Sequence, residues 1–219
     1  GQIGDLHLRK HGRFGRVGRD QECLWQKLRD QHPNGFVRHQ RRAVLADHDG
    51  IHNQRIGKVP RPVGNGFDTL FLARRIAPGG RVIGFDVQSV ALDAARRRLA
   101  EADLLACVEL HRLGHERLGA TLPAEWHGRV AAVTFNLGYL PGGDKRLITR
   151  ATTTLPALWQ ALAVLRPGGL LSLLVYRGHD GAADEADAVA RWAQGLDGRY
   201  LVAVHESAGP LLYLIERPD

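Results

Sequence analysis

The sequence predicts a Rossmann-like α/β fold, in which a doubly wound sheet ends in an antiparallel hairpin. From residue 63 onward, apolar runs typical of buried parallel strands alternate with helical segments. Two of these runs are closed by polar residues, Asp86 and Asn136, at the position where open α/β sheets bind their ligands. The last two apolar runs, 200–205 and 211–216, are separated by Ala208-Gly209-Pro210 and predict the hairpin.

The composition is that of one α/β domain: 219 residues with 44% hydrophobic content can form a full core. No apolar run reaches about 18 residues, so no membrane-spanning helix is predicted. The start of the chain lacks the apolar centre of a signal peptide. Cys23 and Cys107 lie far apart without metal-ligand spacing, which favours a reduced, cytoplasmic setting. Because the chain contains no Met, we expect that it does not begin at its natural initiator.

The net charge of +7 comes entirely from residues 1–62, which hold 13 Lys/Arg and 6 Asp/Glu, whereas the rest of the chain holds 17 of each. This segment also carries 6 of the 11 His and little apolar periodicity. Its apolar clusters, 23–28 and 42–46, are too short to specify an amphipathic helix or a core strand. We therefore predict a poorly ordered segment over 1–62 and a folded domain over 63–219.

Two interpretations of residues 1–62 compete. The segment is either a basic arm that contacts RNA phosphates, or a stretch without native structure joined to a real domain. The absence of Met and the change in composition near Val63 favour the second interpretation. His48 and His52 have the helical spacing of metal ligands, but no periodic helix carries them, so no metal site is predicted.

A glycine turn, Gly64-Asn65-Gly66, precedes a predicted helix with apolar residues at 70, 71, 73 and 76. Glycines let a backbone approach a ligand closely, and a helix amino end offers free N–H groups. Pro78-Gly79-Gly80 ends this helix, and a strand over 81–88 follows. Asp86 lies 20 residues after Gly66, which is the spacing of a carboxylate that binds ribose hydroxyls.

The segments on either side of Asn136 complete the alternation of strands and helices. The triple Arg96-Arg97-Arg98 indicates a solvated helix face rather than an RNA-binding patch. His115 follows a strand end, where it could lie over a ligand, although a polar loop is the interpretation that the residues alone favour. Thr154 or a neighbour is expected to cap a helix, with Pro156 in its first turn. The remaining predicted elements are a helix over 89–102, a strand over 106–110, a helix from 152 to about 165 that Arg166-Pro167-Gly168-Gly169 ends, a strand over 170–176, and a helix from Glu185 to Gln194.

A strand over 130–133 leads into an eleven-residue stretch, 134–144, that contains Asn136 and Tyr139. An Asn, two residues and then Tyr resembles the Asn-Pro-Pro-Tyr loop of methyltransferases that act on exocyclic or primary amines. In such a loop, the Asn oxygen and a backbone carbonyl accept hydrogen bonds from the target nitrogen, and the aromatic ring stacks on the base. Here Leu137 and Gly138 stand in place of the two prolines.

Together, these residues resemble the rRNA methylase family of class I methyltransferases, of the YtqB or MnmM type. The resemblance covers the chain from about Val63 to its end. It implies S-adenosylmethionine as cofactor and tRNA as partner, with methylation of the aminomethyl nitrogen of 5-aminomethyl-2-thiouridine at the wobble position. The motifs that carry the resemblance are 64–73, 84–88, 114–116, 135–145 and 176–179 with Glu185.

The resemblance also implies roles for individual residues. The glycines of the turn and its polar neighbours Asn65, Asp68 and Thr69 would contact the methionine part of the cofactor, and Asp86 with Gln88 the ribose and adenine. Gly114 and His115 would lie at the adenine, Asn136 and Tyr139 at the amine and the modified base, and Leu137, Gly138 and His179 on the substrate side. The proton that a primary amine must lose could go to Asp144, His179 or solvent.

The chain departs from the family just before the glycine turn. Family members have an apolar first strand that ends in an acid, whereas this chain has Val59-Pro60-Arg61-Pro62 there. Two prolines cannot donate to a central ladder, so we expect the first strand to be damaged or replaced. Methylation of rRNA or of a small amine, and a non-catalytic RNA-binding module, remain as alternatives. The terminal strands could pair two subunits in a homodimer.

Overall fold

The computed structural model describes residues 42–47, 66–77, 79–138, 147–177, 181–196, 198–206 and 209–219. Several predicted site residues therefore lie outside the described residues: Gly64, Asn65, Tyr139, Asp144 and His179. Most of the segment 1–62 also lies outside them. In the part of the chain that is described, no helix is long and apolar enough to cross a membrane.

The described residues form seven strands and five α-helices, with three short 3-10 turns at Leu105–Cys107, His115–Arg117 and Ala124–Trp126. In chain order they are β1 (Arg42–Asp47), α1 (Phe67–Ile76), β2 (Arg81–Phe85), α2 (Ser89–Glu101), β3 (Val108–His111), α3 (Leu118–Thr121), β4 (Val130–Leu137), α4 (Ala151–Val164), β5 (Leu165–Val175), α5 (Ala182–Gln194), β6 (Leu201–His205) and β7 (Leu211–Glu216).

All seven strands belong to one sheet in the order β3-β2-β1-β4-β5-β7-β6. Strands β1 to β5 are parallel, and β7 pairs antiparallel with both β5 and β6. The predicted doubly wound sheet with a terminal hairpin is thus confirmed. The strand order reverses between β1 and β4, and open α/β sheets bind ligands at such a switch point. Asn136 lies there, in register with Asp47 of β1.

Strand β1 corrects one prediction. The apolar cluster at 42–46 was expected to be too short for a core strand, but it pairs with β2 on one side and β4 on the other. Two neighbouring ladders can hold six residues whose local pattern is weak, because the partners supply backbone hydrogen bonds on both edges. Arg42–Asp47 is therefore the first strand of the fold and lies between β2 and β4. The sheet thus includes residues that precede the predicted domain start at residue 63.

The core lies on both faces of this sheet. One cluster places β4 and β5 against α4 and α5, with Phe135, Leu158 and Leu171 almost fully buried. A smaller cluster lies under α1 and α2 and includes Leu72 and Leu99. Because helices cover both faces, the inner strands are apolar without alternation, as their sequences indicated.

Two predicted features around α4 are corrected. The helix begins at Ala151, so Pro156 is its sixth residue, and the Thr154 hydroxyl donates to Glu185 instead of capping the helix. Arg166-Pro167-Gly168-Gly169 does not precede the next strand but lies inside β5. There the register shifts between the pairs Val130–Leu165 and Ala132–Leu170. A bulge tolerates Pro167 because its missing N–H leaves no ladder position empty.

Candidate functional site

Asn136 and Asp68 are brought together at the switch point although they lie 68 residues apart in the chain. Asn136 is the seventh residue of β4 and is buried, and Asp68 is in the first turn of α1. The Asn136 Nδ2 group donates a hydrogen bond of 2.9 Å to Asp68 Oδ2. The contact joins a residue predicted on the cofactor side to the residue predicted to hold the amine.

Burial raises the pKa of Asp68 to about 6, and the hydrogen bond from Asn136 partly offsets that increase. Above this pH the carboxylate can only accept hydrogen bonds, so the group of Asn136 that faces it must be the NH2. The amide oxygen is then the other branch of the Asn136 side chain. An amide held in this way presents an acceptor in a fixed direction.

Asp86 follows β2 and lies next to the switch point, beside the end of β3. Its backbone N–H donates to the His111 carbonyl at 3.1 Å, and its Oδ1 accepts the Gln88 N–H at 2.7 Å. Burial raises the pKa of Asp86 to about 7, although the hydrogen bond from Gln88 lowers it somewhat. The donors that the described residues give this carboxylate do not offset its burial, and ribose hydroxyls could supply further donors.

The Gln88 side chain supports a ligand at the same place. Gln88 is buried, and its Nε2 has no hydrogen-bond partner among the described residues. Buried polar groups are normally hydrogen-bonded. An amide donor without a partner among the described residues, beside a carboxylate of raised pKa, therefore indicates that a polar ligand binds here. Asp86 and Gln88 thus fit the ribose and adenine positions that the sequence resemblance implies.

Gly66 has a structural reason to be glycine. It precedes α1 with φ at +62°, and an added Cβ would lie 2.6 Å from the Cβ of Ala95 in α2. The conformation and the close helix contact both exclude larger residues. Gly114 opens the 3-10 turn after β3, and a Cβ there would meet the Glu116 side chain. Whether either glycine also contacts the cofactor stays a prediction.

His115 does not belong to an exposed polar loop. It is buried, its ring lies edge-on to Phe135 with centroids 5.7 Å apart, and its Nε2 is 3.5 Å from Thr154 Oγ1. The interpretation that the residues alone favoured is therefore wrong for this side chain. Thr69 is buried as well, in the first turn of α1.

A buried carboxylate, Glu185, was missed as a site residue. Its two oxygens accept hydrogen bonds of 2.6 Å from the hydroxyls of Thr149 and Thr154. The Thr149 N–H in turn donates to the Gly138 carbonyl at 2.9 Å. The position of Leu137 is fixed by its carbonyl, which accepts the Tyr176 N–H at 3.1 Å. Glu185 was predicted at the start of a helix, where an acid is ordinary, and the resemblance included it as a motif residue without giving it a role.

The seven-stranded sheet, with its parallel strands and terminal antiparallel pair, is that of the class I methyltransferase fold. The chain matches the family described as "Putative rRNA methylase" over residues 82–208, and it belongs to that family. It is 41% identical over 141 residues to a protein named tRNA (mnm(5)s(2)U34)-methyltransferase, chloroplastic, of Arabidopsis thaliana. That match covers 61% of this chain and 51% of the relative, so the chain spans about half the length of the curated relative it matches.

Solved structures agree with this assignment. A structure described as an rRNA methylase from Clostridium thermocellum is 32% identical, with a TM-score of 0.72 over 89% of this chain and 96% of that one. A methyltransferase from Streptococcus mutans, solved in complex with SAH, is 28% identical, with a TM-score of 0.69 over 90% of this chain and 97% of that one. The predicted family is confirmed.

Proposed function

We propose that the protein is an S-adenosylmethionine-dependent N-methyltransferase that methylates the aminomethyl nitrogen of 5-aminomethyl-2-thiouridine at the wobble position of tRNA. The hydrogen bond between Asn136 and Asp68 carries the proposal, because it orients an amide acceptor at the switch point of the sheet. The plant relative, whose name specifies this tRNA position, supports the same substrate.

The residues near the ends of β2 and β3 suit the cofactor. S-adenosylmethionine supplies a methyl group on a positively charged sulfonium sulfur. Asp86 and Gln88 would hold its ribose and adenine, with Gly114 and His115 beside the adenine. Asp68 would place a carboxylate near the methionine part, where its charge above pH 6 favours a cation.

Asn136 positions the nucleophile. Methyl transfer is an in-line displacement, so it depends on alignment more than on a strong acid or base. With its NH2 tied to Asp68, Asn136 accepts an N–H of the target amine through its oxygen and directs the nitrogen lone pair. The amine must first lose a proton, because an ammonium has no lone pair. Asp68, with its pKa of about 6 and its contact with Asn136, joins Asp144 and His179 as a candidate acceptor.

A methylation assay tests the proposal. The protein is incubated with S-adenosylmethionine and a tRNA that carries 5-aminomethyl-2-thiouridine, and the nucleosides are identified by mass spectrometry. The matched control is the same tRNA with unmodified 2-thiouridine, which has no amine and should gain no methyl group. Methylation of rRNA fragments or of free small amines, but not of this tRNA, would replace the proposed substrate. Salt-sensitive RNA binding without cofactor binding would instead indicate a non-catalytic module.

A further inference from the structure

Glu185 lies in the first turn of α5 and is one of the most buried charged residues described, at 2% exposure. Each of its oxygens accepts a hydroxyl hydrogen at 2.6 Å, one from Thr149 and one from Thr154. Both threonines are buried too. Burying a carboxylate in the protein interior is unfavourable unless hydrogen-bond donors surround it. The two threonine hydroxyls supply such donors here.

The first arm, which is the hydrogen bond from Thr149 to Glu185, connects Glu185 to the substrate side of the proposed site. Thr149 follows the segment 139–146, and its backbone N–H donates to the carbonyl of Gly138, which precedes that segment. Gly138 itself lies two residues after Asn136. Glu185, by holding the Thr149 hydroxyl, therefore fixes the point where the two ends of the segment meet.

The second arm, which is the hydrogen bond from Thr154 to Glu185, connects Glu185 to the cofactor side of the proposed site. The Thr154 hydroxyl gives its hydrogen to Glu185, so in its 3.5 Å contact with His115 Nε2 the Thr154 oxygen can only accept. The contact is a hydrogen bond when Nε2 carries a hydrogen. His115 is the residue that the sequence resemblance places beside the adenine.

We propose that Glu185 is a positioning residue that holds both halves of the active site, the base of the segment after Asn136 through Thr149 and the cofactor-side His115 through Thr154. The inference rests on the proposed function for the roles of these two ends. The two arms make separable predictions, because each threonine serves one half of the site.

Conversion of each threonine to valine tests the arms, because valine keeps the shape and removes only the hydroxyl. Thr134→Val is the matched control, since the Thr134 hydroxyl oxygen is buried in β4 without a hydrogen-bond partner among the described residues. We expect Thr149→Val to lower kcat about tenfold with the Kd for S-adenosylmethionine unchanged within about twofold. Thr154→Val should raise that Kd about tenfold and leave kcat at saturating cofactor within about twofold. The control should change neither quantity.

Glu185→Gln tests the common centre. Glutamine keeps one oxygen and can turn its NH2 group toward either threonine, so each orientation breaks one arm, and both kcat and the cofactor Kd should worsen. Combining Glu185→Gln with Thr149→Val should then cost less kcat than the product of the two single effects, because the variants break one shared interaction. A lower melting temperature with unchanged kcat and Kd in all three variants would show a purely structural role and overturn the proposal. Effects on the opposite arms would overturn it as well.

Two readouts need no RNA and separate this inference from the proposed function. The sequence between Gly138 and Thr149 contains the trypsin sites Lys145 and Arg146. Thr149→Val should increase the rate of trypsin cleavage at these two sites severalfold, whereas Thr154→Val and Thr134→Val should not change that rate. If the wild-type protein methylates no tRNA but these cleavage rates and cofactor affinities change as expected, the proposed substrate fails and the role of Glu185 stands. Equal cleavage rates in all variants would refute the Thr149 arm.

Discussion

At the scale of single residues, the proposed function makes methyl transfer depend most on the side chain of Asn136. Asn136→Ala removes the oxygen proposed to accept from the amine, so we expect kcat to fall by about a hundredfold or more. The Kd for S-adenosylmethionine should stay within about threefold, because Asp68 remains and can bind water in place of the amide. Calorimetry and single-turnover kinetics measure the two quantities. Loss of cofactor binding in Asn136→Ala would contradict the proposal that Asn136 holds the target amine.

The raised pKa of Asp86 makes the stability of the fold depend on pH. Its pKa is near 3.9 in an unfolded chain and about 7 in the folded protein, so the folded state binds the extra proton between these values. The stability of the cofactor-free protein should therefore fall as pH rises from about 4 to about 7. Asp68, with its pKa of about 6, contributes with the same sign.

The substitution Asp86→Asn should remove this cost, because asparagine can still accept the Gln88 N–H and carries no charge. Urea unfolding should show a gain of roughly 1 to 3 kcal/mol at pH 8 and little change at pH 4, together with weaker cofactor binding. Asp93→Asn is the control, since Asp93 is exposed and its ion pair with Arg96 contributes little at either pH. Equal destabilisation by Asp86→Asn at both pH values would contradict the argument.

At the scale of the elements, substitution of Gly66 tests how much the close contact between α1 and α2 contributes to stability. Gly66→Ala combines a left-handed conformation with a Cβ 2.6 Å from that of Ala95, so we expect a loss of about 2 to 4 kcal/mol. Gly128→Ala is the matched control, because Gly128 has φ at +69° and open space around its Cβ position. It should lose only about 1 kcal/mol. Similar losses in both variants would mean that the helix contact has no energetic weight.

The elements also show what sequence can predict. Strands β2 and β4, and the part of β5 after Gly169, are mainly apolar runs, and such runs are recognisable locally. Strand β1 is not, because six residues among Arg, His and Gly become a strand only through partners that are distant in sequence. The same holds for the site. Asp86 and Asn136 follow from their positions at strand ends, whereas the Glu185 network joins residues 31 and 36 positions apart and has no local pattern.

At the scale of the whole molecule, the central strand and the family-specific part of the chain come from different regions. The family match begins at residue 82, inside β2, and so excludes β1. Yet β1 lies inside the sheet as the third of its seven strands, between β2 and β4 at the switch point. The basic excess also precedes residue 63, so the segment that supplies the central strand is the one that could contact RNA phosphates. The two roles can be separated by removing different lengths of the segment.

Two shortened chains, 42–219 and 48–219, differ only by the six residues of β1. We expect the longer one to unfold cooperatively and to bind S-adenosylmethionine as the full chain does, because it keeps every strand of the sheet. The shorter one should lose cooperative unfolding and cofactor binding, because β2 and β4 would each expose an unpaired edge at the switch point. Circular dichroism during heating and calorimetric titration measure both properties. Equal behaviour of the two chains would mean that β1 is dispensable, whereas weaker tRNA binding by 42–219 than by the full chain, with a shallower salt dependence, would assign residues 1–41 to RNA contact.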